Sequence, residues 1–236
     1  MPGGERAIRQ PWRMALSYLL DAGLSPASFA ARCRQRGLVP AGGLDALQTM
    51  IARRLNAPLT SSMGRLFDGV AALVGVRDVA RFEGQAAMEL EWLATDVPAD
   101  GAYPFALLDS EAESLQVDVW PCVRAVVRDM EAGVERTHIA RRFHSGVVDM
   151  IAEVCGRLRL DSGVDAVVLS GGVFMNVILL SETITRLTDD GFRVYRHRLV
   201  PPNDGGLCLG QLAVAATLDA EAALAPGVMH VPRYSG

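Results

Sequence analysis

The chain contains no lysine: all 23 of its basic residues are arginine, against 27 acidic ones, giving a net charge of −4. An acidic balance offers no broad surface for nucleic acid, so non-specific DNA or RNA binding is not expected. The missing lysine itself reads as codon usage and carries no functional weight. Cysteine is scarce as well, with Cys33, Cys122, Cys155 and Cys208 far apart and no C-x-x-C spacing. That scatter excludes an obvious zinc site and a disulfide framework, and predicts that each thiol, Cys208 included, is a small buried hydrophobe in a reducing compartment. No run approaches the ~18 apolar residues a membrane helix requires, and the first residues lack a signal-peptide core. The expectation is a soluble, cytoplasmic protein with no membrane and no nucleic-acid partner.

What is present is a chain of 236 residues, half of them apolar and 21% charged, enough to bury one or two cores. The first part, residues 1–118, reads as helical. Pro11 suits the first turn of a helix bearing Trp12, Ala15, Leu16, Leu19 and Leu20, and Ser25-Pro26 signals a second helix ending near Gly37. A third runs from about Leu44 to Leu55. The hydroxyl-rich turn Thr60-Ser61-Ser62 leads into a fourth, and Phe82-Glu83-Gly84-Gln85 opens a fifth over Ala86 to Leu93. Residues 95–118, rich in Pro, Asp and Gly, read as a hinge or hairpin with strand-like pieces around Tyr103 and Val117. Residues 119–218 form a second part with two long helical patterns, the later one over Thr137–Leu160 carrying Ile139, Phe143, Val147, Met150 and Val154 on one face. The tail, 219–236, reads as frayed helix and coil.

The densest signal lies between Asp165 and Gly210. Ala166-Val167-Val168-Leu169 predicts a buried strand that ends in Ser170-Gly171-Gly172-Val173, with a helix after it. A second strand over Phe192–Tyr195 is followed by Val200-Pro201-Pro202-Asn203-Asp204-Gly205-Gly206, which opens another helix. Strand, paired glycine and helix start is how an α/β protein builds a phosphate cradle, since amides without a neighbouring Cβ can approach the anion. Beside it, a carboxylate in a second glycine turn points to a nucleotide held near a metal.

These residues resemble a known family. Val168-Leu-Ser-Gly-Gly-Val-Phe-Met-Asn176, Val200-Pro-Pro-Asn-Asp-Gly-Gly206 and Leu209-Gly-Gln211 are similar to the carboxyl-terminal lobe of HypF-type carbamoyltransferases of [NiFe]-hydrogenase maturation. Ala7-Ile-Arg-Gln-Pro-Trp-Arg-Met-Ala15, Thr60-Ser-Ser-Met-Gly-Arg-Leu-Phe-Asp68, Phe82-Glu-Gly-Gln-Ala-Ala87 and Arg142-Phe-His144 support it, in the family order. The resemblance implies an α/β fold of the actin-like ATPase (ASKHA) superfamily, shared with tRNA threonylcarbamoyl transferases. It implies carbamoyl transfer from an ATP-derived carbamoyl-adenylate to the C-terminal cysteine of HypE. It also implies a divalent metal (Fe, Mg or Zn), partly held by a His-rich motif that family members carry before the point where this sequence begins. Acylphosphatase-like, zinc-finger and adenylate-forming domains lie further upstream in the family. His138, His144, His197 and His230 are isolated here, so the fold is expected to be incomplete on its N-terminal side, and a separately encoded N-terminal part of HypF is an expected partner. A non-catalytic nucleotide-binding scaffold and a tRNA threonylcarbamoyl transferase relative are the rival readings.

Within that resemblance Asp204 matches the metal ligand, against a plainer role as a helix N-cap. Gly171 and Gly172 match the phosphate-contacting pair and Asn176 a nucleotide contact; a tight turn and a helix-surface amide are the simpler alternatives. Thr60, Ser61 and Ser62 stand where the tRNA-modifying relatives contact nucleotide, although a turn capping the next helix explains them equally well. Glu83 and Gly84 match a ribose-contacting turn, against a first-turn acid favoured by the helix dipole. Arg9 and Arg13 flanking Trp12 are suited to an anion, against the plainer reading of a solvated helix face, and His144 reads as a packed or hydrogen-bonded core histidine. No catalytic residue is assigned.

Overall fold

Proline punctuates the first helical segments. The computed structural model describes residues 1–40, 42–109 and 115–224. In it a short α1 (Arg6–Arg9) precedes Pro11 and α2 (Trp12–Asp21), where the missing proline N–H leaves no intrahelical bond unmade. Four more helices follow, α3 (Ala27–Gln35), α4 (Gly43–Ala52), α5 (Met63–Val74) and α6 (Gln85–Ala94). They match the predicted segments within a few residues; only α1 was not foreseen. Next comes an antiparallel pair, β1 (Ala106–Asp109) with β2 (Leu115–Asp118), in the register Ala106↔Asp118 to Asp109↔Leu115. Then α7 (Trp120–Glu131) leads into the 27-residue α8 (Arg136–Ser162).

The last part is the strand–helix–strand–helix unit read from the sequence. It comprises β3 (Ala166–Leu169), a 3₁₀ turn over Gly172–Met175, α9 (Val177–Asp189), β4 (Arg193–Arg196), a second 3₁₀ turn over Asp204–Gly206 and α10 (Leu207–Leu224). β3 and β4 pair in parallel, Ala166↔Arg193 to Leu169↔Arg196. A parallel pair needs a crossover, and α9 supplies it. The final helix runs through Asp219 to Leu224, further than the predicted tail boundary, and residues 225–236 lie outside the described ones. Among the described helices none is long and apolar enough to cross a membrane.

One large apolar core joins α2, α5, α6, α7 and α8, with Trp12, Phe67, Leu73, Leu90, Ile139 and Phe143 buried in it. The Phe67 and Phe143 rings meet edge to face at 4.8 Å, the favoured geometry for aromatic pairs. A second, smaller core under the parallel strands holds Ala152, Leu169, Leu187 and Phe192, and Ile151 of α8 touches both cores. The other face of the strands is open: Val168 is 67% and Tyr195 52% exposed. Leu207, Leu209, Leu212, Val214 and Leu218 of α10 are exposed too. Parallel sheets are usually covered on both faces, so this apolar surface is unusual.

Tyr103, which the sequence placed near a strand, instead anchors the segment before β1. Its hydroxyl donates to Asp129 Oδ2 at 2.7 Å and its N–H to the Arg142 carbonyl at 3.2 Å. Arg142 donates to Asp129 at 2.7 Å and to Asp100 at 2.6 Å, clamping the same segment to α8. Close approach here requires a glycine on α8: a Cβ on Gly146 would meet the Tyr103 carbonyl oxygen at 2.3 Å. Gly146→Ala should therefore lower the guanidinium unfolding midpoint by the equivalent of about 2–3 kcal/mol, the overpacking range. Gly156→Ala on the same helix, where nothing lies within 4 Å, should leave it unchanged or raise it by up to ~1 kcal/mol. Equal effects at both positions would contradict this packing.

Candidate functional site

After Leu169 the chain must turn sharply off the strand, and Gly171 does so at φ +98°, ψ 156°, a region essentially closed to residues with a Cβ. The Gly171 N–H donates to the Pro202 carbonyl at 2.7 Å, which ties the first glycine loop to the second. Asn203 reinforces the seam: its Oδ1 accepts from the Gly205 N–H at 3.1 Å and its Nδ2 reaches Met175 Sδ at 3.2 Å. Gly206 fits because a Cβ there would meet the Pro201 carbonyl oxygen at 2.5 Å. Gly172 differs, for a Cβ on it would find only Asn203 Cβ, at 3.8 Å. Space is open above it. Gly172 and Val173 begin a 3₁₀ turn, and the first N–H groups of such a turn have no acceptor within it. The structure thus brings Gly171, Gly172 and the Asp204 turn together at an exposed seam. Asp204 opens the second turn and its side chain is exposed.

Asn176 is placed differently from the expectation of a nucleotide contact. It is buried at 9% exposure and its side chain is already engaged. Its Oδ1 caps α9 by accepting from the Leu179 N–H at 2.9 Å, and its Nδ2 faces His144 Nε2 at 3.0 Å. His144 in turn places Nδ1 2.7 Å from the Ala140 carbonyl. Its burial agrees with the sequence reading of a packed, hydrogen-bonded histidine. A residue the sequence did not single out completes this end of α9: Glu91 Oε1 accepts the Val177 N–H at 2.6 Å. Two of the first α9 donors, Val177 and Leu179, are thus engaged from within the protein, and the Gly172 and Val173 amides of the turn before it have no hydrogen-bond acceptor among the described residues.

The other expected residues sit at helix starts in the helical part. The Ser62 N–H donates to Thr60 Oγ1 at 3.1 Å, a hydroxyl turn before α5, with Ser61 and Ser62 exposed. Gly84 takes φ +77° just ahead of α6, and Glu83 beside it is exposed. Between these turns lies a pair missed in the sequence, Arg65 with Asp68 at 2.9 Å on α5. Burial pushes the Asp68 carboxyl up to about 6, against the pull of Arg65 and with the help of the Glu83 charge. The i, i+3 spacing of arginine and aspartate inside an apolar run was the available signal. α5 also packs on the Gly172–Met175 turn.

For a metal the residues do not suffice. No group of three or more His, Cys, Asp or Glu able to hold one exists among the described residues. His197 Nε2 lies 2.9 Å from Ser170 Oγ, and His138 pairs with Asp100 at 2.9 Å; His230 lies outside the described residues. Cys208, expected to be buried, is exposed, because the start of α10 is left uncovered; Cys33 and Cys122 are buried and Cys155 partly so. Two surface clefts are lined by residues outside the glycine loops. One, of about 270 Å³, is lined by Arg34, Val39 and Asp45; the other, of about 580 Å³, by Ser181, Tyr195 and Arg196.

Residues 1–211 match the family model described as carbamoyltransferase, Kae1-like domain, second subdomain. The chain belongs to this family. It is 36% identical over 239 residues to carbamoyltransferase HypF2 of Cupriavidus necator, covering 91% of this chain and 28% of that protein. It is 38% identical over 215 residues to carbamoyltransferase HypF of Rhodobacter capsulatus, covering 91% of this chain and 26% of that one. A crystal structure of full-length HypF in the phosphate- and nucleotide-bound form superposes with a TM-score of 0.82 at 38% identity, over 92% of this chain and 28% of that chain. The Kae1-like α/β fold and the kinship to the carboxyl-terminal region of HypF carbamoyltransferases are thereby established. The chain spans little more than a quarter of the length of these relatives.

The buried His144 gives the site a pH signature. Burial pushes the imidazole down to about 4 from the ordinary 6.5, although its bond to the Ala140 carbonyl pulls the other way. Between those values the unfolded chain binds a proton that the folded chain refuses, so stability falls as pH drops through the window, by roughly 3 kcal/mol in all. Asp68 acts with the opposite sign, since its raised folded value makes the folded chain bind the proton more readily as pH falls from about 6. The two effects partly cancel in the wild type. His144→Gln removes one of them, so its stability should improve relative to wild type by about 3 kcal/mol between pH 7 and pH 4. Parallel unfolding curves across that range would contradict a neutral buried imidazole.

Proposed function

We propose that the chain is the carboxyl-terminal part of a HypF-type carbamoyltransferase, acting in the cytoplasm. In this reading it grips the adenylate of carbamoyl-adenylate while the carbamoyl group passes to the C-terminal cysteine of HypE, towards the cyanide ligand of a [NiFe] hydrogenase. The observation that carries this reading is the pair of glycine loops joined by the Gly171–Pro202 hydrogen bond, beside the Gly172 and Val173 amides, which have no acceptor among the described residues. The overlaid HypF structure, which is phosphate- and nucleotide-bound, supports it.

Carbamoyl-adenylate is already an activated mixed anhydride, so the chain need supply no covalent nucleophile. The incoming thiolate forms a C–S bond at the carbamoyl carbon, the C–O bond to phosphate breaks, and AMP departs carrying the electron pair. Charge grows on the phosphate oxygens, and amides fixed in advance around that position stabilise it without reorganising. Glu83 is suited to paired ribose hydroxyls, and Thr60, Ser61 and Ser62 to donating hydrogen bonds to nucleotide or carbamoyl oxygens. Asp204 is exposed at the seam but is a single carboxylate, and no step is assigned to a metal.

The remainder of a HypF enzyme completes this reading. The uncovered face formed by Val168, Tyr195 and the α10 leucines is suited to an apolar partner. The N-terminal part of a HypF enzyme is the occupant we favour, because the relatives are much longer than the stretch that this chain matches. A scaffold that binds nucleotide without turnover is the second reading, favoured by the lack of a metal-holding group among the described residues.

Titration calorimetry with AMP checks the nucleotide site. Gly172→Val should lower affinity by about tenfold, because its methyl groups would cover the open amides, while leaving the melting temperature within about 3 °C. Unchanged affinity would remove Gly172 from the site. Transfer of a labelled carbamoyl group to a HypE C-terminal peptide separates the two readings. Transfer when an N-terminal HypF part is added supports the transferase reading, and absence of transfer even then leaves the scaffold.

A further inference from the structure

The turn that offers its amides to an anion is short, exposed and glycine-rich, and on its own would sample many conformations. Two side chains from other helices restrain it. From α8, His144 reaches Asn176; from α6, Glu91 reaches Val177. The polarity of the first contact is dictated by its ends. The Leu179 N–H can only donate, so Asn176 Oδ1 accepts it and Asn176 Nδ2 must be the group facing His144. At the other end the Ala140 carbonyl can only accept, so His144 Nδ1 carries the proton and Nε2 accepts from Asn176. Every step in this chain of bonds has a defined donor and acceptor, and its links at Asn176 and His144 are buried. Phe67 packs edge-on to the imidazole, its ring centre 5.4 Å away, which restricts the ring from a third helix.

The Glu91 contact adds a ruler. α6 begins directly after the Glu83–Gly84 turn, and Glu91 lies about two turns along it, roughly 10–12 Å at the helical rise. One rigid helix therefore links the candidate ribose turn at its start to the phosphate turn at Glu91. A carboxylate at a helix N-terminus is favourable for α9 itself. That benefit does not explain why Glu91 comes from the helix bearing the other candidate contact.

We propose that His144, acting through Asn176, and Glu91, acting through Val177, are positioning residues that hold the Gly171–Asn176 turn in its anion-binding form. The inference rests on the nucleotide reading above. Neither residue touches the nucleotide; each sets where the Gly172 and Val173 amides point. Glutamine at either position retains an acceptor, whereas leucine at 144 or alanine at 91 does not.

AMP titration and amide hydrogen exchange on the full chain test this together. His144→Leu should weaken AMP binding by about tenfold and speed exchange across residues 170–177, and Glu91→Ala should weaken it by about threefold. His144→Gln and Glu91→Gln should stay within about twofold of wild type in affinity. Should His144→Leu fail to fold, the Glu91→Ala and Glu91→Gln pair decides, since Glu91 is only partly buried. Faster exchange with unchanged AMP affinity would make both residues structural supports and overturn the proposal while leaving the nucleotide site standing. A wild-type chain that protects residues 170–177 yet binds no AMP would defeat the nucleotide reading and this inference with it.

Discussion

α8 is the member on which the two parts of the molecule depend. Ile139, Ala140, Phe143 and Val147 are buried in the large helical core, and Ala152 is buried in the small core under the parallel strands. Because Ile151 touches both, the cores cannot slide past one another without disturbing one helix. Helices are stiff over this length, and side chains packed at crystal-like density transmit displacement instead of absorbing it. Sequence blocks far apart along the chain, around Thr60, Phe82 and Gly171, can therefore keep a common frame.

The same helix decides how the glycine loop is held. A phosphate cradle is often explained by the dipole of the helix that follows it, but here two of that helix's first donors, Leu179 and Val177, are taken by Asn176 and Glu91. What remains for an anion is the short turn before it. The Gly172 and Val173 amides act well only if they do not move. The restraint comes from the Gly171–Pro202 bond on one side and the Asn176–His144 contact on the other. A charged histidine would put donor against donor at Asn176, which is why burial and a neutral imidazole belong together.

Much of this was legible in the sequence, and the reasons are particular. Strong periodicity located α8, and the strand–glycine–helix order located the parallel unit with α9, because each is a local pattern. The glycine loops and Asp204 were legible as residue types, and their contact follows from a parallel crossover that returns both strand ends to one edge of the sheet. The capping role of Asn176 was not legible because an asparagine ahead of a helix has the same sequence appearance whether it caps the helix or faces a ligand. Glu91 was invisible because its partner, Val177, is remote in sequence. Asp68 was overlooked because an aspartate in an apolar run attracts notice only when its Arg65 partner is seen beside it. The surface position of Cys208 was missed for a different reason, since burial depends on what covers a helix, and no local pattern encodes that.

The unequal quality of the two cores bears on chemistry. Around Phe67, Phe143 and His144 nearly everything is buried, so the turn is fixed from below. Above it, Val168, Tyr195 and the first turns of α10 face solvent. In water an ion pair at contact distance is worth only about 1 kcal/mol, and several times more where solvent is excluded. Amides on this turn will discriminate a growing phosphate charge from a resting one only when that upper side is covered. Affinity for a nucleotide and rate of transfer are therefore separable properties of this chain: the restrained turn suffices for the first, and the second requires whatever excludes water from the exposed face.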